Sequence, residues 1–256
     1  HPDKCTKAES QLILLATDGE LYGHHKRGRE QFVAHLLQKS APAYGFSVCS
    51  LERYLQAHPA TKEVRLRAPS AWSCFHGVDR WKTDCPCTDG DGSWKYFLRQ
   101  ALCNLQEVAD RLFTDDGSRV LHDPWVARDS YLALRNRWIE PSHFWKHHAA
   151  PHHRDVSSIY MAQSLLESQY WLQAAFTSCG FFFEDLDRIE PRNTIAFARR
   201  AISFVWQATG HDLQCDFLAD LELVRSWRTG RTGTDLYRSL PAVPESLLPT
   251  EKQSVR

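Results

Sequence analysis

The chain has 256 residues, of which 43% are hydrophobic and 24% are charged, a composition typical of a globular protein with a substantial core. Thirty-one lysine and arginine residues balance thirty-one aspartate and glutamate residues, which argues against a partner that is a nucleic acid or an anionic membrane. The longest aliphatic run, Leu12 to Ala16, is far shorter than the ~20 residues of a membrane span. The chain opens at His1 without an apolar leader, so we expect a cytoplasmic protein and a sequence that starts internally.

The first 68 residues have the pattern of alternating strands and helices. Leu12 to Thr17 is a short apolar run that stops at Asp18-Gly19, which is typical of a strand buried on both faces. Apolar residues at helical spacing follow in Gly28 to Lys39, and Ser50 is a suitable N-cap for a second helix. Lys62 to Leu66 alternates like a strand with one wet face. This order predicts an α/β unit over residues 1–68.

The second half of the chain has a helical pattern instead. From Trp94 to Leu112 the apolar residues recur in steps of three and four over roughly five turns. Similar stripes occur in 123–138, 158–176, 193–206 and 212–227. We therefore predict a helical domain over 69–240 with a cysteine-rich opening loop, followed by an extended tail over 241–256. The whole chain should be mostly helical.

A dense polar segment follows the first predicted strand. Asp18, Glu20, Tyr22 and His24 fall within seven positions. In parallel α/β barrels the loops at the carboxyl ends of the strands hold the catalytic groups. The alternative is an ordinary turn before a helix, where aspartate and glycine are common for backbone reasons.

Three of the eight cysteines lie close together in the opening loop of the helical domain. Cys74, Cys85 and Cys87 have His76 beside the first of them, and thiolates with imidazole favour zinc or an iron–sulfur cluster. The Cys-x-Cys spacing differs from the usual Cys-x-x-Cys, so a further ligand must come from elsewhere. Reduced, partly buried cysteines are the alternative.

Aromatic and acidic side chains near this loop have two interpretations each. Trp72 and Trp81 suit stacking against sugar rings, although core packing explains either of them, and Trp94 on the helical stripe is better explained as core. An acidic run after Phe183 is either a charged entrance to a helix or a group that binds sugar hydroxyls or a cation. Its members are Glu184, Asp185, Asp187 and Glu190.

Two of these segments carry a resemblance to a known family. Asp18 to His24 resembles the block with the acid/base aspartate in glycoside hydrolase family 57, and Ser70 to Trp81 resembles a later block of that family. Those retaining enzymes act on α-glucans and are built on an incomplete (β/α) barrel followed by helices. The Ser70 to Trp81 block contains a cysteine, Cys74. This form of the block, together with Thr177 to Asp185, resembles a subgroup in which an uncharacterised helical domain follows the barrel. The resemblance spans roughly residues 11 to 206.

The resemblance implies roles for individual residues. Asp18 would be the general acid/base, no cofactor would be required for catalysis, and Cys179 would complete a metal site with the three other cysteines. One cleft would hold Asp18, His24 and at least one of Trp72 and His76. The residues that the resemblance places against an α-glucan are Glu20, Tyr22, His24, Trp72, His76 and Trp81.

The chain departs from the family in its second catalytic carboxylate. Retaining glycosidases need a nucleophile ~5–5.5 Å from the acid/base, and the family's glutamate nucleophile lies on an earlier barrel strand that this chain does not include. Glu20 shares a loop with Asp18 and is not opposed to it. We therefore expect the C-terminal part of a retaining glycoside hydrolase or glucanotransferase that acts on α-glucans, depends on an N-terminal barrel half and is inactive alone. The alternative is a non-catalytic helical module that binds a metal or a partner.

Overall fold

The computed structural model describes residues 11–241, and within them it contains helices and loops but no strand. The chain divides into two compact units, the first ending at Leu66 and the second beginning at Arg67. Within the described residues no helix is both long enough and apolar enough to cross a bilayer. The predicted tail lies outside the described residues from position 242 onward.

The first unit contains short helices. They are α1 (Arg29–His35), continued by a π-helical turn (Leu36–Ser40), α2 (Ala41–Ala43) and α3 (Leu51–Ala57), preceded by a 3-10 turn (Gly19–Leu21). The predicted N-cap of α3 is confirmed, since the Ser50 side chain accepts a hydrogen bond from the Arg53 backbone N–H at 3.2 Å.

Neither predicted strand of the first unit forms. Leu12 to Thr17 and Lys62 to Leu66 are irregular in backbone, and Leu15 and Leu66 are 76% and 90% exposed. A strand needs a neighbouring backbone to complete its hydrogen bonds, and a doubly buried strand needs apolar surfaces on both faces. Among residues 11–66 no side chain is fully buried. The protein is therefore mainly helical, and its first unit has no sheet within the described residues.

The second unit is a helical domain, as the apolar stripes predicted. Its helices are α4 (Asp79–Lys82), α5 (Trp94–Val120), α6 (Pro124–Arg135), α7 (Pro141–His148), α8 (Val156–Ala175), α9 (Cys179–Phe182), α10 (Ile189–Thr209), α11 (Gln214–Leu221) and α12 (Gly233–Ser239). Long helices α8 and α10 pack along each other, and α5 packs against α8 and α11. The N-cap side chains of α6, α8 and α12 accept hydrogen bonds from backbone N–H groups at the start of their helices. The Asp123 carboxylate, for example, accepts from the N–H groups of Trp125 and Val126.

Two apolar clusters form the core of this domain, and α5 contributes to both. Its first half supplies Trp94, Leu98 and Leu102 to a cluster shared with α10 and α11. Its second half supplies Phe113 and Val120 to a cluster shared with α6, α7 and α8. Trp94 is 1% exposed, so its interpretation as a core residue is confirmed.

Candidate metal centre

Two tight turns precede α5, and each presents two potential metal ligands. The Gly77 N–H donates to the Cys74 carbonyl at 3.2 Å, which closes a turn that carries Cys74 and His76. The Thr88 N–H and hydroxyl both donate to the Cys85 carbonyl at 3.0 Å, which closes a second turn that carries Cys85 and Cys87. Pro86 stands at the second position of this turn, where its fixed φ favours the bend.

The four ligand atoms converge on one point. The Cys74 Sγ lies 3.8 Å from the Cys85 Sγ and 3.6 Å from the Cys87 Sγ. The His76 Nδ1 lies 3.7 Å from the sulfur of Cys74, 3.6 Å from that of Cys85 and 3.1 Å from that of Cys87. All four atoms are within 4.8 Å of one another.

Apart from the shorter 3.1 Å between the His76 Nδ1 and the Cys87 Sγ, these separations suit a single tetrahedral ion. Zn–S bonds of ~2.3 Å and a Zn–N bond of ~2.0–2.1 Å put sulfurs ~3.8 Å apart and sulfur and nitrogen ~3.5–3.6 Å apart. The sulfurs are too distant for a disulfide, whose S–S bond is ~2.05 Å. The protein ligands of an iron–sulfur cluster bind several different iron atoms and are therefore farther apart. The four ligand atoms here are too close together for such a cluster.

The protonation of the thiols differs across the cluster. Burial raises the pKa of Cys74, yet hydrogen bonds from the backbone and side chain of His76 and from the other two thiols outweigh it and lower this pKa to about 7. The hydrogen bond with Cys74, together with desolvation, raises the pKa of Cys87 to about 11. The thiolate of Cys74 therefore forms near neutral pH, and a bound metal would displace the proton of Cys87.

A buried lysine supplies positive charge beside this cluster. Lys95 is fully buried near the start of α5, and its Nζ donates to the Arg80 carbonyl at 2.8 Å. Burial lowers the pKa of Lys95 to about 8, with a further lowering by Arg80 and an opposing effect of Cys85. A zinc ion bound by three thiolates would have an excess negative charge, which a nearby ammonium would balance.

Lys95 was not among the predicted site residues, although its place in the apolar stripe of α5 indicates that it is buried. Leu98 and Leu102 follow it at three and seven positions on the apolar face of α5. A lysine on the buried face of a helix requires a partner, and here the partner is the Arg80 carbonyl in α4.

The identity of the fourth ligand differs from the prediction. Cys179 is exposed at the start of α9 and is outside the cluster, whereas His76 stands within it. The reason is local: the turn closed by Gly77 brings the imidazole back onto the Cys74 sulfur, so a remote ligand is not needed. His76, which was also predicted to contact sugar, lies with the cysteines.

The two tryptophans predicted to contact sugar have different surroundings. Trp72 is 71% exposed. Trp81 is half-buried against the first core cluster, and its ring lies 5.9 Å from that of Phe182. Trp72 is thus accessible to a ligand, whereas much of the Trp81 ring is occupied by packing.

The predicted catalytic segment lies in the first unit. Asp18 is exposed at the start of the 3-10 turn, and Tyr22 accepts a hydrogen bond from the Thr17 hydroxyl at 2.9 Å. The Glu20 carboxylate lies 3.9 Å from the His24 Nδ1 and 3.4 Å from the Nε2 of His25. These three side chains form a second, exposed group with ligand spacing. Because Asp18 and Trp72 belong to different units, their shared cleft stays a prediction.

Fold and site together define a helical domain that opens with a Cys₃His cluster. A family profile described as "Domain of unknown function (DUF3536)" matches residues 91–248. The chain belongs to this family. The match covers α5 to α12, so the four ligands directly precede it. No curated protein and no solved structure matches the chain.

Proposed function

We propose that this chain is the part of a retaining α-glucan enzyme that carries the general acid/base, Asp18, joined to a helical domain that holds a structural zinc ion. The observation that carries the zinc assignment is the convergence of Cys74, His76, Cys85 and Cys87 at tetrahedral spacing. The glucan assignment is supported by the resemblance of the Asp18 and Trp72 segments to glycoside hydrolase family 57.

The zinc ion has a structural role in this proposal. Four protein ligands leave no open coordination position for water or substrate, which is the arrangement of structural zinc sites. The ligands tie together a segment whose one regular element is the four-residue helix α4. Zinc thiolates persist in a reducing compartment, and we propose a cytoplasmic location on that basis.

Metal analysis of the purified chain tests the zinc assignment. We expect one zinc per chain and loss of that zinc in Cys85→Ser. Cys103→Ser is the matched control, because Cys103 is an exposed thiol on α5 that is outside the cluster. Iron in place of zinc, or full zinc content in Cys85→Ser, would contradict the assignment.

Three observations support the glucan enzyme. Asp18, Glu20 and His24 are exposed, as groups that meet a substrate must be. The matched family covers the helical part, where the resemblance expects an uncharacterised helical domain. Apolar side chains such as Leu14 and Val64 are 63% and 84% exposed in the first unit, as expected for segments that become strands when the rest of a barrel covers them.

In the proposed cycle Asp18 acts twice. It protonates the glycosidic oxygen that leaves, while a carboxylate nucleophile attacks the anomeric carbon and forms a glycosyl-enzyme. Asp18 then deprotonates the incoming water or sugar hydroxyl. The nucleophile would come from the N-terminal barrel half, ~5–5.5 Å from Asp18, so this chain alone has no turnover.

The substitution Asp18→Asn tests this role in a protein that contains the whole barrel. We expect hydrolysis of unactivated α-glucan to fall by ~10²–10⁴-fold, because the general acid is lost, while glucan binding is retained. Substrates with a good leaving group should keep a faster first step, since that step needs less protonation. Glu52→Gln is the control, because Glu52 is an exposed carboxylate on α3 and is not among the residues predicted to contact sugar. Full activity of Asp18→Asn on unactivated glucan would overturn the assignment.

The geometry of the cysteines also favours a second candidate, a non-catalytic helical module that binds zinc and a partner. Sugar titration, metal analysis and turnover separate the two. Zinc without affinity for α-glucan supports the module, whereas turnover of α-glucan that Asp18→Asn abolishes, in a protein with the whole barrel, supports the enzyme.

A further inference from the structure

A polar cleft adjoins the metal cluster in the second unit. Its volume is about 450 Å³, within the ~300–1,000 Å³ range typical of ligand sites. One of the potential zinc ligands, Cys87, is part of its wall. The residues that line it are Arg80, Cys87, Thr88, Asp89, Glu184, Trp227 and Arg228.

The indole of Trp227 is held in one orientation in this cleft. Its Nε1 donates to the Glu184 carbonyl at 3.0 Å. The ring lies directly against Gly90, where an added Cβ would be 2.1 Å from the indole Cε2. The residue is nevertheless 45% exposed. A fixed and partly open indole presents an apolar surface to a ligand without a large loss of side-chain entropy on binding.

Charged groups of both signs surround this indole. The Glu184 Oε1 lies 3.0 Å from the Nη1 of Arg188 and 3.5 Å from that of Arg228. The Arg80 guanidinium stacks 3.8 Å from the centre of the Phe182 ring, and its Nε donates to the Phe182 carbonyl at 3.1 Å. These contacts hold the planar donors and acceptors of the cleft in place.

The mixture of charges selects the class of ligand. Glu184 and Asp89 would oppose an anion in this cleft, and the two arginines would oppose a cation. A neutral molecule that has an apolar face and many hydroxyls is favoured instead, because hydroxyls both accept from guanidinium groups and donate to carboxylates. A pyranose ring has both properties, since its C–H face stacks on an indole.

We infer that this cleft binds a stretch of α-glucan by stacking a sugar ring on Trp227, with Arg228 and Glu184 bonding to its hydroxyls. The choice of α-glucan rests on the proposed function, whereas the choice of a sugar rests on the cleft itself. The site would be a non-catalytic contact on the helical domain that keeps the polymer bound to the protein.

Calorimetric titration of the zinc-loaded full chain with maltoheptaose tests this inference. Trp227→Ala should weaken binding by at least tenfold, and Trp227→Phe should retain it within a few-fold because stacking remains. Trp138→Ala is the matched control, since Trp138 is 72% exposed and does not line the cleft. Arg228→Ala changes an exposed side chain without disturbing the core and should also weaken binding several-fold. Thermal unfolding of each variant shows whether it is folded.

The outcomes distinguish a failure of the proposed sugar site in the cleft from a failure of the proposed enzyme function. If the chain binds maltoheptaose and both Trp227→Ala and Arg228→Ala bind it equally well, the cleft is not the site, although the glucan proposal stands. If the chain binds no maltoheptaose, or binds cellohexaose with the same affinity, the inference is overturned. The role of Asp18 is then decided separately by turnover of Asp18→Asn in a protein with the whole barrel.

Discussion

Substitution of Gly90 by alanine should destabilise the protein by displacing Trp227. Gly90 has a φ of +76°, in the left-handed region that costs an alanine ~1–2 kcal/mol. The new Cβ would also lie 2.1 Å from the indole Cε2, far inside the ~3.5–4.0 Å of a favourable carbon contact. The indole must therefore move by more than an ångström.

That displacement removes a hydrogen bond as well. The Trp227 Nε1 donates to the Glu184 carbonyl at 3.0 Å, and loss of such a bond costs ~0.5–1.5 kcal/mol. Together with the backbone effect, we expect the free energy of unfolding to fall by ~1.5–3.5 kcal/mol. Maltoheptaose binding should weaken in parallel, because the stacking surface has moved.

Urea unfolding followed by tryptophan fluorescence measures this loss. Gly210→Ala is the matched control, since Gly210 has a φ of +74° at the end of α10 and no atom within 4 Å of an added Cβ. It carries the backbone cost without the steric one. If the two variants lose stability equally, within ~0.5 kcal/mol, the contact between Gly90 and Trp227 does not restrain the indole and the reasoning is refuted.

Two further predictions concern stability. Zinc at a free concentration of 100 times its dissociation constant should add ~2.7 kcal/mol, or roughly 5–11 °C in Tm for a domain of this size. Calorimetry with and without chelator checks this, and an unchanged Tm would argue against a zinc ion bound only by the folded state. Phe113→Ala should cost ~3–5 kcal/mol in urea unfolding, because Phe113 is 0% exposed in the second core cluster. Phe97→Ala, at a partly exposed position of the same helix, should cost clearly less.

The apolar stripes in the sequence were sufficient to predict five helices of the second unit, namely α5, α6, α8, α10 and α11. The steps of three and four from Trp94 onward identified α5 and placed Trp94 in the core. The start of α3 at Ser50 was equally local, since an N-cap bonds to a backbone N–H three residues away. Such features depend on neighbours along the chain, and their residue types and spacing therefore predict them.

The first unit shows where local patterns were insufficient. Leu12 to Thr17 has the composition of a buried strand, but its leucines are exposed and no strand forms there. Strand propensity reflects packing and pairing with other segments more than an intrinsic backbone preference. An apolar run therefore becomes a strand only where partner strands and covering surfaces are present.

The sequence determined by itself that Cys74, Cys85 and Cys87 were candidate metal ligands, because thiols at short spacing have that chemistry. Only the tertiary structure decided that His76 rather than Cys179 completes the cluster, and that Lys95 lies buried beside it. It also decided that Trp227, more than a hundred residues later in the chain, meets Gly90 beside the cysteine-rich loop. Residue types specify which atoms are able to act, but backbone turns and helix packing determine which of them meet.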